Sequence, residues 1–416
     1  MKIGIALSGG GFRASLFHLG VLRRIAELGW LARVDAISGV SGGSIIAAFA
    51  ALRWAEMLGA GGDADAFQKH IAVPFIEAVT TRSLIRDWMT RAALQSVVRA
   101  FDSTYSRTAA LGDVLSERLY EHRSCADLPE VPYTILNATS LISVRAWRFT
   151  RHGLGDSRVG YADWNNGPAL SVGHAVAASA AFPPVFSPVR IDSRAYNFSG
   201  TTYRDAPVAL PPVIALTDGG IYENLGTEVL TKRTPLPGGT LLEVPDFLLV
   251  SDGGYPPHYQ FEPRWIPGLA SLALMWRANT IALEQVSALR RRMLVRMFEQ
   301  QQPNGLLVAL GSNVDRLPCA EADRYRELVD ATSCPPASVV ERVQRVRTHL
   351  NRFTHGEAEA LMYHGYLLTD AFLWARSAHL PNEYRRDGGL PGWRLTFNPE
   401  SIARMTAALR TSDRLW

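Results

Sequence analysis

The sequence predicts an α/β domain of the doubly wound kind, followed by a mainly helical stretch. Three observations lead there. Two short apolar runs near the start, Ile3–Leu7 and Val34–Ser38, each end in a glycine-rich turn and lead into a segment with helical spacing. Two later apolar runs, 213–217 and 247–251, each end in Asp-Gly-Gly. From Pro267 onward, apolar residues recur mostly at helical spacing.

Each element has its own local reason. Ile3–Leu7 is short and wholly apolar apart from Gly4, as a buried parallel strand is. Leu16, Leu19, Leu22, Ile25 and Leu28 then mark one face of a helix over 14–28, and Gly29 is placed to end it. Val34–Ser38 is the second strand. Ile45, Ile46, Phe49 and Leu52 mark the second helix, so the order is strand, turn, helix, strand, turn, helix. The small, acidic stretch 60–66 is a loop, and 67–119 holds several helices with breaks near Thr80 and Asp102. Tyr133–Thr139 and Arg145–Arg151 are rich in β-favouring residues and read as a strand pair. The alanine-rich run Ser171–Ala181 is helical and stops at Pro183-Pro184. Leu306–Leu310 is a further strand. A long helix covers 269–298, and Thr354-His-Gly-Glu357 is a capping box that starts another. The proline-rich stretch 254–267 marks the one boundary.

Composition narrows the class. The chain has 416 residues, 47% hydrophobic and 20% charged, as soluble globular proteins do. Only Lys2, Lys69 and Lys232 are lysine; the other basic residues are arginine. A net charge of +4 and a pI near 9.0 favour anionic surfaces such as phospholipid headgroups. The basic residues are dispersed and match no nucleic-acid module, so no nucleic-acid partner is expected. Cys125, Cys319 and Cys334 are far apart and odd in number, which speaks against a disulfide framework or a structural zinc site. The start of the chain shows no signal-peptide pattern, and no run of 18 apolar residues exists. The expectation is a cytoplasmic protein; if it touches lipid, it does so from the water side, peripherally on the inner face of the membrane.

The chemistry lies in the two early turns. Gly39-Val-Ser-Gly-Gly43 is a G-x-S-x-G pentapeptide with a strand before it and a helix after it. That context places Ser41 on a sharp turn as a nucleophile. Ser8-Gly-Gly-Gly-Phe-Arg13 answers the other need of acyl transfer. The amides of Gly9, Gly10 and Gly11 at a helix start are donors suited to an oxyanion hole. Gly9-x-Gly11-x-x-Ala14 also fits the dinucleotide fingerprint of an oxidoreductase. That reading needs an acid at the end of the second strand, whereas Asp35 lies near its start and the Ser41 turn occupies its end. The oxyanion reading is therefore preferred. For the base, Asp218 and Asp252 both follow apolar runs at a presumed parallel-strand end, and the residues alone favour neither. Asp387 follows no strand and reads as a surface turn. A Ser41–Asp218–His258 triad is also open, and His18 reads as structural.

Ser8–Arg13, Gly39–Gly43 and Asp218-Gly-Gly220, in this order, resemble the patatin-like phospholipases. So do Ala177–Phe186 and the preceding Asn137-Ala-Thr139, and the similarity runs from residue 1 to about 260. The resemblance implies a three-layer α/β/α sandwich with a mostly parallel central sheet over 1–260, with 261–416 as a mainly helical extension packed on it. It implies a lipid acyl hydrolase of phospholipase A type, with a Ser41–Asp218 dyad and a Gly9–Gly11 oxyanion hole, and without metal or organic cofactor. Asn224-Leu-Gly226 matches the family's loop after Asp-Gly-Gly and tips the choice of base to Asp218. Phe12-Arg13 is closer to the cytosolic phospholipase A2 relatives, which makes Arg13 a candidate contact for the substrate phosphate; a structural role is its alternative. Two further readings keep the same dyad: a lipid acyltransferase, and an effector phospholipase switched on by a partner or nucleotide signal. The helix over 269–298, with Trp276 and the cluster Arg290-Arg291-Arg292 and Arg296, is expected to pack on the core rather than lie on a bilayer.

Overall fold

A computed structural model of the chain describes residues 2–99, 101–102, 104–200, 210–254, 270–317, 319–376 and 390–410. Strand β1 (Ile3–Leu7) leads into α1 (Gly11–Glu27), and β2 (Val34–Val40) into α2 (Gly42–Leu52). Gly29, at φ 70°, closes α1 as its sequence position predicts. Helices α3 (Trp54–Gly59), α4 (Ala64–Phe67), α5 (Val73–Thr81), α6 (Leu84–Val98) and α7 (Arg107–Arg118) follow. Next come β3 (Tyr133–Ser140), β4 (Arg145–Phe149), β5 (Gly153–Asp156) and β6 (Gly160–Asp163), then α8 (Val172–Ser179), β7 (Val189–Asp192) and β8 (Val213–Asp218). The two-residue strands β9 (Thr234–Pro235) and β10 (Leu241–Leu242) pair with each other. Strand β11 (Phe247–Asp252) precedes α9 (Ala270–Glu299), and β12 (Asn304–Ala309) precedes α10 (Cys319–Val329). Helices α11 (Ala337–Gln344), α12 (His355–Arg376) and α13 (Pro399–Arg410) complete the order. The predicted capping box opens α12: the Glu357 carboxylate accepts the Thr354 N–H at 2.8 Å, and Thr354 Oγ1 accepts the Glu357 N–H.

The main sheet runs β12-β11-β1-β2-β3-β4-β5-β6, with β8 pairing β3 and β7 pairing β8. Strands β12, β11, β1, β2 and β3 are parallel. From β3 onward every pairing is antiparallel, so the sheet is mixed where a mostly parallel one was expected. The cause is connection length: the segments joining β3 to β6 have only a few residues, and such short links join only antiparallel neighbours.

Alternation along the parallel strands separates two cores. Ile3, Ile5, Leu7, Phe247 and Leu249 face one cluster with α1, α2 and α12, while Ala6, Leu248 and Val250 face the other, with the loop after β8 and the end of α9. Helix α12 lies along α1 and is tied to it by charge. Buried Arg24 pairs with buried Asp370 at 2.8 Å, and Tyr325 Oη donates to the same carboxylate at 2.7 Å. Residues beyond 260 therefore extend the sheet through β12 and complete the main core through α11 to α13. The boundary expected between 254 and 267 falls almost wholly outside the described residues.

Candidate active site

Ser41 sits between β2 and α2 at φ 51° and ψ −117°, a backbone conformation that costs a non-glycine residue roughly 1–3 kcal/mol. Close packing holds it there. A Cβ on Gly42 would stand 2.1 Å from the Gly11 carbonyl oxygen, so only glycine lets the starts of α1 and α2 meet. Hydrogen bonds fix the turn as well. Ser179 Oγ accepts the Ser41 N–H at 2.9 Å, shares a hydrogen bond with Ser44 Oγ at 2.8 Å and donates to the Asn137 carbonyl at 2.5 Å. Asn137 in turn donates through Nδ2 to the Gly39 carbonyl at 2.8 Å and to Ser38 Oγ at 2.9 Å. The Ala177–Phe186 and Asn137–Thr139 segments thus brace the turn. Sequence reasoning assigned Ser179 no task, although a lone hydroxyl buried in an alanine run must find a partner.

Sheet topology brings Asp218 to Ser41. On one edge of β3, the last residue of β2, Val40, pairs with Asn137. The last residue of β8, Asp218, pairs with the next residue, Ala138. β4 holds the opposite edge. Two strands running in opposite senses therefore end head to head on adjacent residues of β3. Asp218 was expected at the end of a parallel strand; its strand is antiparallel, and that orientation is what turns its carboxylate toward β2. The Gly220 N–H donates to Oδ1 of this carboxylate at 2.7 Å, and the nearby Ser41 hydroxyl is a smaller influence that favours its charged form. Burial is the larger influence and pushes the Asp218 carboxyl up to about 7.

The other aspartate is already engaged. Asp252, also buried, accepts Arg291 Nε at 2.8 Å and the Gly254 N–H at 2.9 Å. His18 is fully buried and pushed down to about 4 by burial. Its Nδ1 faces Ser251 Oγ at 2.6 Å and its Nε2 faces the Ser8 carbonyl at 2.9 Å, so the neutral ring ties α1 to β11. His258 and Asp387 lie outside the described residues. Among those described, no group of three His, Cys, Asp or Glu side chains could hold a metal ion.

The glycine turn divides its tasks. The Gly9 N–H donates to the Asn224 carbonyl at 3.0 Å, so Gly9 is not a free donor as expected. Its place is set by space instead, because a Cβ there would lie 3.2 Å from Ser41 Cβ and 2.4 Å from Asn224 Oδ1. The amides of Gly10 and Gly11 begin α1 and have no acceptor among the described residues. The Gly42 amide begins α2 in the same state. The starts of α1 and α2, each with an open amide, therefore lie against each other next to Ser41, an arrangement that favours negative charge. Arg13 also departs from expectation. It is wholly buried and donates to the carbonyls of Val346 at 3.2 Å, Gln344 at 3.4 Å and Gly253 at 3.1 Å. Its guanidinium is spent on joining α1 to the chain after α11, and a headgroup has no access to it.

Residues 5–231, more than half of the chain, match the family model described as Patatin-like phospholipase. No curated protein is significantly similar in sequence. Among solved structures, human GIVD cytosolic phospholipase A2 aligns with a TM-score of 0.50 at 12% identity, covering 99% of this chain and 60% of that one. The same protein in complex with methyl gamma-linolenyl fluorophosphonate gives 0.45 at 12% identity, covering 99% and 59%. VipD from Legionella pneumophila gives 0.33 at 14% identity, covering 99% and 74%. The chain thus spans about three fifths of the length of the human enzyme, and at this identity the likeness is one of fold.

Proposed function

Because the chain belongs to the patatin-like phospholipase family, we propose that it is a phospholipase A-type acyl hydrolase that cleaves fatty-acyl esters through Ser41 and Asp218. The observation that supports this reading is the meeting of β2 and β8 on adjacent residues of β3, which brings the Ser41 turn beside the end of the strand that carries Asp218. A buried carboxylate that titrates near 7 suits a general base at neutral pH.

Ser41 Oγ attacks the acyl carbonyl carbon while its proton passes to Asp218. The carbonyl oxygen becomes an oxyanion and is held by the amides of Gly10 and Gly11, with Gly42 beside them. The tetrahedral intermediate collapses, the ester C–O bond breaks, and Asp218 returns the proton to the departing alkoxide of the lysolipid. Water then enters and gives a proton to Asp218 as its oxygen adds to the acyl-enzyme. A second collapse frees the fatty acid, and Ser41 recovers its proton from Asp218. Each step draws on these residues and water alone. The free thiols of Cys125 and Cys334 suit a reducing compartment and support a cytoplasmic setting, with the membrane approached from that side.

The test is fatty-acid release from phospholipid vesicles, followed by mass spectrometry. Ser41→Ala and Asp218→Asn, with folds checked by circular dichroism, are each expected to lower the rate by at least about a thousandfold. Retention of most activity by either variant refutes the dyad.

A further inference from the structure

Helix α9 departs from the packing that its sequence suggested. Among its described side chains, those that rest on the core lie in its second half. Ser287, Leu294 and Phe298 are buried, and Arg291, on the same face, pairs with Asp252. The opposite face carries Met275, Ala282, Val286, Leu289 and Met293, all exposed and spaced seven, four, three and four residues apart. Leu274, Ile281 and Val295, also exposed, form a second apolar row beside it. The exposure is large: 68% for Met275, 58% for Leu274 and 56% for Leu289. At 1.5 Å per residue these rows run about 30 Å. An amphipathic helix of a soluble protein turns such residues inward, so an outward apolar face of this length marks a binding surface.

The charges around this face identify what covers it. Arg292 and Arg296 are exposed and have no ion pair among the described residues. Glu284 is taken by Arg291, and no other acid lies between 274 and 298. Arg296 continues the outward row, three residues after Met293. A second copy of the chain packed in parallel would set Arg296 against Arg296. An antiparallel copy would offer it no acid. An anionic lipid surface satisfies both the apolar rows and the arginines.

The helix is also joined to the candidate active site. Arg291 donates to Asp252 at the end of β11, and the adjacent Ser251 carbonyl accepts the Ser8 N–H at 3.0 Å, at the start of the glycine turn. We infer that α9 is the surface by which the protein docks on an anionic phospholipid bilayer, inserting its outward apolar face at the headgroup level. This deepens the acyl-hydrolase reading and rests on it for its purpose, though not for its test.

The test uses the full chain with Met275→Glu and Leu289→Glu combined; both side chains are exposed and lie on the face turned away from Asp252. Binding is measured in the Ser41→Ala background, so that lipid is not consumed, by co-sedimentation with vesicles of equal parts phosphatidylglycerol and phosphatidylcholine. The double substitution is expected to weaken partition by about a hundredfold. With Ser41 restored, it is expected to remove vesicle hydrolysis while leaving p-nitrophenyl butyrate hydrolysis unchanged. Met275→Leu with Leu289→Ile is expected to bind as the parent does. Equal vesicle binding by the glutamate variant and its parent overturns the inference. So does a dimer, seen by sedimentation equilibrium, that the glutamates dissociate while vesicle binding persists. If the parent hydrolyses neither substrate and the glutamates still abolish vesicle binding, the docking surface stands and the hydrolase reading falls.

Discussion

Replacing Asp218 with asparagine should make this protein more stable, and more so as pH rises. Asp218 is almost wholly buried, and burial moves its carboxyl from 3.8 to about 7. The unfolded chain ionises it at the ordinary value, while the native state keeps the proton until about 7. Below 3.8 both states hold the proton and nothing is lost. Between the two values the unfolded state releases its proton first, so native stability falls as pH rises, and the loss is complete just above 7. A displacement of about three units corresponds to about 4 kcal/mol. Asparagine carries no charge, keeps an oxygen for the Gly220 N–H and offers an amide to Ser41, so it escapes this loss. Urea denaturation at pH 5 and pH 8 measures the difference. Asp218→Asn should exceed wild type by about 1.5 kcal/mol at pH 5 and about 4 kcal/mol at pH 8. The activity of wild type should rise about tenfold per pH unit and level off near 7, as the base loses its proton. A stability gap that does not widen with pH, or a variant weaker than wild type at pH 8, refutes the argument.

Ser179→Ala removes the acceptor of the Ser41 N–H and should cost about 1–3 kcal/mol in thermal or urea unfolding. In kinetics it should lower kcat with little change in KM, because it loosens the turn rather than the lipid contact. Gly42→Ala puts a Cβ 2.1 Å from the Gly11 oxygen, and esterase assays should find it inactive even where circular dichroism shows a folded chain. Arg24→Met leaves Asp370 charged and buried, and its urea midpoint should fall by the equivalent of about 3–5 kcal/mol.

The parts of this fold that the sequence revealed are those with short-range causes. Strands β1 and β2, the helices after them and the capping box at Thr354 follow from periodicity and local hydrogen bonding. So does the place of Ser41 between a strand and a helix. What stayed hidden depends on distant partners. Whether a strand pairs parallel or antiparallel is decided by its neighbour, so the meeting of Ser41 and Asp218 on β3 could not be read from the two turns. Asp252 and Asp218 sit in nearly identical local sequence, and what separates them lies on other elements: Arg291 pairs with Asp252, and β3 holds Asp218 next to the Ser41 turn. The burial of Arg13 depends on carbonyls more than 300 residues away. The outward face of α9 had the spacing of a packed helix because the period tells that a face exists and not what covers it.

The clamp between Arg13 and the 344–346 carbonyls, with Gly11 held against the Thr348 carbonyl, ties the start of the polypeptide to its last quarter. The segment that defines the family ends at 231, yet the turn bearing the open amides is seated by residues made more than a hundred positions later. During synthesis, Ser41 and Asp218 therefore both emerge well before the residues that seat the glycine turn. A nascent chain on the ribosome is expected to stay inert until Val346 has emerged. Premature stop codons between 231 and that point should behave genetically as loss of function although they spare Ser41, Asp218 and the glycine turn, because they remove both that seat and part of the main core.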